Sequence, residues 1–296
     1  MKASGRQLAV LALLTLVWGL NWPVMKLGVS GPPGAPAAYP PLTFRSLSMV
    51  LGLPVLAAAL LVLRIPLALP RRHVGAMLRL AVPNMMIWHV LIILALPSLS
   101  SGRAAILGYT MPAFAALWGV CLYGERHGLR QWFSVAAASV GVALLLAHEV
   151  TKLAGAPVAV IMAMAAAAVW ALGTHQLRRA ELGIPLLTLV FWMTASTAAL
   201  MVVLALVFES ARWQWPAGHV WAAVGYNAVG VFGFAHAAWF YLARTLPPVA
   251  SSVSVMLIPV LGTFSGAWWL GEALHWQDFA AMVLMVAAIG AALLRR

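Results

Sequence analysis

The sequence predicts an all-α polytopic membrane protein: ten transmembrane helices, arranged as two inverted five-helix repeats around a central cavity. Three observations predict this fold: the composition, the spacing of the apolar runs and the distribution of basic residues. The 296 residues are 64% hydrophobic and only 8% charged, whereas charged residues make up about 25% of an ordinary soluble domain. The chain is therefore expected to have the lipid bilayer as its surroundings.

Ten apolar runs set the number of spans. A hydrocarbon core of about 30 Å needs about 20 apolar residues per helix. The runs fall at 7–27, 42–63, 77–97, 101–123, 131–147, 157–177, 186–208, 220–243, 249–270 and 278–294. Turn-forming segments such as Gly31-Pro32-Pro33-Gly34 and Gly183-Ile184-Pro185 separate them. We expect the first run to remain as a span, because no A-x-A-like cleavage site follows it.

The basic residues predict the orientation. The chain has 18 Lys and Arg against 6 acids, a net charge of +12, but the basic residues are dispersed between apolar runs and do not indicate nucleic acid as a partner. With a cytoplasmic N-terminus, thirteen basic residues lie inside and three outside. The inside set is Lys2, Arg6, Arg64, Arg71, Arg72, Arg79, Arg126, Arg130, Arg178, Arg179, Arg244, Arg295 and Arg296; the outside set is Arg103, Lys152 and Arg212. The positive-inside rule therefore predicts both termini in the cytoplasm of an inner-membrane protein.

An internal repeat divides the chain into residues 1–148 and 149–296. His89, Pro112 and Gly124-Glu125 recur as His236, Pro259 and Gly271-Glu272, all at an offset of 147 residues. Each repeat has five spans, an odd number, so the two must cross the membrane in opposite directions. Inverted repeats enclosing a site near the midplane are typical of secondary transporters.

These residues also carry a resemblance to a known family. The matching segments are Trp18-Gly19-Leu20-Asn21-Trp22-Pro23-Val24-Met25-Lys26, Arg45, Pro112, Gly124-Glu125-Arg126, Gln131, Gly141, Trp170-Ala171-Leu172 and Arg178-Arg179. Over nearly its whole length the chain resembles the EamA-type branch of the drug/metabolite transporter superfamily, most closely the exporters of aromatic and other amino acids. The resemblance implies a ten-helix basket with a central cavity that exports small metabolites. Gly173 departs from it, because symmetry with Asn21 would place an Asn there.

Polar and aromatic side chains at membrane depth are the candidate binding residues, because polar groups there are costly. The candidates for the cavity are Trp18, Asn21, Asn84, Trp88, His89, Tyr109, Trp170, His236 and Trp239. Aromatic faces would stack on an apolar substrate or hold an ammonium group, and the Asn21 amide can both donate and accept hydrogen bonds. The alternatives are helix-interface packing for each Trp, a backbone hydrogen bond for each His and an interhelical hydrogen bond for Asn21.

Two basic residues and two prolines within the spans have predicted roles other than cavity lining. Arg45 and Lys26, at the outer side of their spans, either attract a substrate carboxylate or extend to the membrane interface; for Lys26 the interface is the favoured reading. Pro112 and Pro259 each remove a backbone donor near mid-span and are candidate hinges or kinks. Static bends that make packing room are the alternative.

Several functions are disfavoured by what the spans contain. All six acids fall at span ends or in loops, so proton coupling would have to use His89 or His236. The sequence has no H-E-x-x-H or nucleotide-binding motif, and Cys121 is the single cysteine, so we expect no metal, no cofactor and no enzyme. A channel or a sugar-phosphate exporter would need more polar or basic span residues.

The sequence therefore predicts an exporter of amino acids, including aromatic ones, and of related small metabolites. It would work as a monomer by alternating access, through facilitated or exchange transport without ATP. The alternative is an exporter of other amphipathic metabolites or drugs with proton coupling through His; a membrane-embedded enzyme is a remote alternative. The preferred substrate and the coupling ion stay open.

Overall fold

The computed structural model describes residues 5–31, 38–126, 128–151, 156–245 and 248–293. Within these ranges the chain forms ten helical spans and no β-strand. Spans one, two, five, six and seven are Gly5–Ser30, Pro41–Val62, Leu129–Thr151, Pro157–Arg179 and Leu186–Glu209, and spans nine and ten are Pro248–Leu270 and Trp276–Leu293. Span three joins Arg71–Ala81, Val82–Met86 and Ile87–Ala95; span four joins Ser101–Gly108 and Met111–Tyr123; span eight joins Gly218–Gly225, Tyr226–Ala235 and His236–Thr245.

Length and hydropathy fit a membrane protein. In the part of the chain that the structure describes, 6 helices are long and apolar enough to cross a membrane, with mean hydropathy from 1.6 to 2.2. They correspond to spans one to four, six and seven, and the shorter apolar helices Val135–Leu145, Leu257–Leu270 and Trp276–Ala288 belong to spans five, nine and ten. The sequence placed the start of span three at 77, but the helix begins at Arg71 because an amphipathic turn precedes the apolar run.

The two halves are related by inverted symmetry. Span two packs against span seven, span four against span nine and span five against span ten; span one packs on spans eight and nine as span six packs on spans three and four. The direction is fixed by contacts such as that of Glu209, at the end of span seven, with Thr43 at the start of span two. Two five-helix units of opposite polarity give this pattern. The boundary between residues 148 and 149 stays a prediction.

Spans three and eight both contain a π-helical segment just before their matched histidines. The segments are Val82–Met86 and Tyr226–Ala235, and they precede His89 and His236. A π-helical turn holds an extra residue, which rotates the side chains beyond it and leaves a carbonyl outside the regular ladder. The two histidines are therefore aimed by local helix geometry as well as by sequence position.

The matched prolines occupy different settings. Span four is interrupted at Tyr109 and Thr110, and Pro112 lies in the first turn of the helix that follows, where its missing backbone donor is not needed. Pro259 lies inside the continuous helix of span nine. The hinge role of both residues stays a prediction.

The two ends of the bundle differ in charge, and we name them accordingly. The carboxylate end, at the starts of spans two and four and the end of span nine, holds Glu209, Glu272 and Asp278. The arginine end, on the opposite side of the bundle, lies at the ends of spans two, four and six and the start of span three. It holds Arg64, Arg71, Arg72, Arg126, Arg178 and Arg179.

Candidate functional site

A cavity lies at the centre of the bundle, between spans one, two, three, four, six and eight. It is lined by Trp18, Asn21, Trp22, Met25, Arg45, Trp88, His89, Ile92, Gly108, Tyr109, Met111, Trp170, Val231, His236 and Trp239. The cavity has a volume of about 60 Å³, which is room for a few water molecules. A larger ligand therefore has to displace lining side chains.

Four tryptophans from four spans form one wall of the cavity. The Trp88 and Trp170 ring centroids lie 4.2 Å apart at an interplanar angle of 89°. Trp18 contacts Trp170 edge-on at 6.4 Å, and its ring lies 5.6 Å from that of Trp239 at an interplanar angle of 46°. Edge-to-face contacts of this kind are the favoured aromatic geometry. The wall joins both repeats, since Trp18 and Trp88 belong to the first and Trp170 and Trp239 to the second.

Span one supplies one continuous face of the cavity. Trp18, Asn21, Trp22 and Met25 follow each other at spacings of three and four residues, which brings them to the same side of a helix. Trp22 and Met25 were missed in the sequence analysis, although this spacing from Trp18 is a signal that could have found them. Gly108 leaves room for the opposite rings, because a Cβ there would lie 3.0 Å from the Trp22 ring.

The two matched histidines meet in the cavity, with ring centroids 5.7 Å apart. Phe232 stacks on His236 at 5.4 Å and 6°, and its edge meets His89 at 5.3 Å. The His236 Nδ1 atom lies 2.9 Å from the Val231 carbonyl oxygen, five residues earlier in the π-helical segment. Both ring nitrogens of His89 are buried without a hydrogen-bond partner among the described residues. The alternative prediction for each histidine was a hydrogen bond to a backbone carbonyl. In the described part of the chain His236 makes this bond and His89 does not.

Arg45 brings a guanidinium group into the cavity wall. Its side chain is 1% exposed, and Nη1 donates to the Asn227 Oδ1 atom at 3.3 Å while Nη2 contacts the Met25 Sδ atom at 2.7 Å. The group also lies 5.6 Å from the centroid of Phe232. Asn227 was another residue that the sequence analysis missed.

Asn84 and Lys26, two of the predicted binding residues, lie outside the cavity lining. Asn84 lies within the π-helical segment of span three, whose wider turn breaks the expected four-residue alignment with Trp88. Its amide donates to the Leu80 carbonyl at 2.9 Å and packs against Gly173, where a Cβ would lie 2.6 Å from the Asn84 Nδ2 atom. The missing Asn at position 173 is thus explained: span three fills that space with its own amide.

Lys26 also lies away from the cavity. Its ammonium donates to the Leu96 and Pro97 carbonyls at 3.1 and 2.7 Å, at the carboxylate end of spans one and three. The Lys26 ammonium therefore links the end of span one to the end of span three by hydrogen bonds. The other predicted binding residues all line the central cavity: Trp18, Asn21, Arg45, Trp88, His89, Tyr109, Trp170, His236 and Trp239.

Inverted five-helix units around a central cavity are an architecture that membrane transporters use. A family model agrees with this class: the EamA-like transporter family matches residues 6–147 and 157–294, so the chain belongs to that family.

Relatives and solved structures extend the same match across the chain. The "Uncharacterized transporter YoaV" of Bacillus subtilis is 23% identical over 275 residues, covering 92% of this chain and 89% of the relative. The "Uncharacterized inner membrane transporter YedA" of Escherichia coli K12 is 25% identical over 286 residues, covering 93% and 87%. A solved chain described as "Crystal structure of protein" aligns with a TM-score of 0.67 at 22% identity over 95% of this chain and 96% of that one, which shows the shared fold.

Proposed function

We propose that this transporter exports amino acids, aromatic ones included, and related small metabolites across the inner membrane. It works by alternating access, as facilitated or exchange transport without ATP. The observation that carries the proposal is the central cavity, in which tryptophans from both repeats adjoin Arg45, Asn21 and His89. An amino acid offers matching groups: an apolar side chain, a carboxylate and an ammonium.

The placement in the membrane follows from charge and from a relative. The arginine end faces the cytoplasm under the positive-inside rule, which puts both termini there. YedA is described as an inner membrane transporter, and we propose the same membrane for this chain.

Counterflow in proteoliposomes tests the function. Vesicles containing the purified protein are loaded with one unlabelled amino acid, and uptake of labelled amino acids is followed across a panel that includes phenylalanine and tryptophan. We expect accelerated exchange for a subset of the panel. Uptake no faster than in protein-free vesicles for every amino acid would refute amino-acid transport.

The alternative, an exporter of amphipathic metabolites or drugs coupled to protons, is favoured by one observation: His89 and His236 face each other in the cavity. A histidine changes charge near neutral pH and can carry a proton. Under facilitated transport or exchange, an imposed pH gradient leaves the flux unchanged. Under coupling, the gradient drives accumulation, and His89→Ala with His236→Ala abolishes it.

A further inference from the structure

The two edges of the Arg45 guanidinium differ in their hydrogen-bond partners. Nη1 donates to the Asn227 amide oxygen at 3.3 Å. The opposite edge, formed by Nε and Nη2, has no oxygen acceptor in the described part of the chain: Nε has no hydrogen-bond partner, and Nη2 contacts only the Met25 thioether at 2.7 Å. A thioether is a weak acceptor. The Nε–Nη2 edge is the one that a carboxylate binds through two parallel N–H···O bonds.

The charge around Arg45 is also one-sided. None of the carboxylates in the described ranges pairs with it; Glu125, Glu209 and Asp278 have ion pairs elsewhere, at the ends of the bundle. The other ionisable groups in the cavity lining are His89 and His236, which are neutral or cationic, and the Tyr109 phenol. A buried guanidinium without a counterion is costly, so an anionic ligand gains from this site and a cationic one is repelled.

We propose that the cavity is selective for a carboxylate and that the Nε–Nη2 edge of Arg45 binds it. The inference rests on the proposed function and deepens it, because it names the group that every substrate must carry. The Met25 side chain, which is unbranched and adaptable, turns aside when the carboxylate enters.

The neighbouring groups complete a site for an α-amino acid. Asn21 lies one helical turn from Met25 on the same face of span one, and its Oδ1 atom is buried without a partner among the described residues. An ammonium group donates to that oxygen while the carboxylate contacts Arg45. The substrate side chain then points to the wall of four tryptophans.

The test compares acids with their amides on the unaltered protein. Binding is followed by the quenching of tryptophan fluorescence, and transport by inhibition of counterflow. The probes are phenylalanine, leucine and threonine, their three carboxamides, 3-phenylpropionate and phenethylamine. We expect the amino acids to bind roughly 10- to 100-fold more tightly than the amides, the range for hydrogen bonds to a charged group. This measurement requires no variant to fold.

Variants then assign the selectivity to Arg45. Arg45→Met is expected to remove the preference for acids over amides, and Arg45→Lys, which keeps the charge and loses the planar fork, to reduce it. Arg79→Met is the matched control, because Arg79 is exposed and lies outside the cavity lining. It is expected to leave the preference unchanged.

The outcomes separate this inference from the proposed function. Equal binding of acids and amides, or tighter binding of phenethylamine, overturns carboxylate selectivity even where amino acids are transported. Binding of 3-phenylpropionate without any amino acid supports the carboxylate site and refutes amino-acid transport. An acid preference that survives in Arg45→Met shows that another group binds the carboxylate and overturns the assignment.

Discussion

Glu272 and Glu125 follow the same Gly-Glu pattern in the two repeats, yet they have different surroundings. At the carboxylate end, Glu272 accepts hydrogen bonds from the Ser101 backbone N–H at 2.8 Å and from the Ser101 hydroxyl at 2.6 Å, which caps the start of span four. At the arginine end, Glu125 is 41% exposed and pairs with Arg179 at 3.2 Å. Arg179 lies over the Tyr123 ring at 3.7 Å.

A second carboxylate strengthens the contrast. Glu209 is 1% exposed and accepts hydrogen bonds from the backbone N–H groups of Leu42 and Thr43 at 3.0 and 2.7 Å, at the start of span two. A carboxylate at a helix N-terminus satisfies free donors and the helix dipole. The carboxylate end is therefore tied across the repeats by buried and part-buried hydrogen bonds, whereas the Glu125–Arg179 pair at the other end is exposed to water.

The largest expected difference between the ends comes from one substitution made at both matched positions. Glu272→Gln removes the charge that caps span four, and we expect the free energy of unfolding to fall by about 2 kcal/mol, as for hydrogen bonds to a charged group. Glu125→Gln breaks only an exposed pair, and we expect a change below about 0.5 kcal/mol. Denaturation in detergent measures both. Equal losses would mean that both ends are tied equally.

A smaller effect is expected from filling space beside the Glu272 cap. A Cβ on Gly266 would overlap the Ser101 hydroxyl oxygen and lie 2.5 Å from the Glu272 Oε2 atom. In Gly266→Ala the Ser101 hydroxyl turns away from Glu272, and we expect a loss of about 1 kcal/mol, the value of one hydrogen bond. Gly225→Ala is the control, since a Cβ there meets nothing within 4 Å. A Gly266→Ala protein as stable as the control would contradict the tightness of this end.

The smallest effect appears only at alkaline pH, through Tyr39 beside the carboxylate end. Burial, and secondly the negative charge of Glu209, raise the pKa of Tyr39 above its ordinary value of 10.0. The folded protein thus favours the neutral phenol, and this preference adds to the free energy of unfolding. The added stability is fully present below pH 10.0 and is lost as the pH rises through the pKa of Tyr39 in the folded protein.

Thermal unfolding of Tyr39→Phe measures this contribution. We expect the variant to lose less stability than the parent above about pH 10 and to match its pH dependence below. Tyr123→Phe, which keeps an aromatic ring beneath Arg179, is the control at the arginine end. A parent and a Tyr39→Phe variant with the same alkaline profile would show that the Tyr39 environment contributes nothing to this end.

Much of the cavity could be predicted, because membrane depth makes each polar residue conspicuous. His89 and His236 were found through their matched positions, and they do meet. Asn84 does not line the cavity, because the π-helical turn of Val82–Met86 replaces the regular α-helix from which its position was predicted. The sequence also showed no sign that Glu209 and Glu272 cap the first turns of other helices. Such capping depends on which helix N-termini lie next to these carboxylates in the folded protein.

The sequence by itself determined the membrane setting, the ten spans and the inverted repeat, because burying backbone in lipid requires long apolar helices and an odd number of them reverses polarity. Only the tertiary structure decided which edge of Arg45 lacks an acceptor, which histidine bonds to its own backbone and which Gly-Glu carboxylate caps a helix. These features depend on contacts between residues far apart in the chain. Matched residues of the two repeats have different partners in the folded protein, although their sequence positions are equivalent.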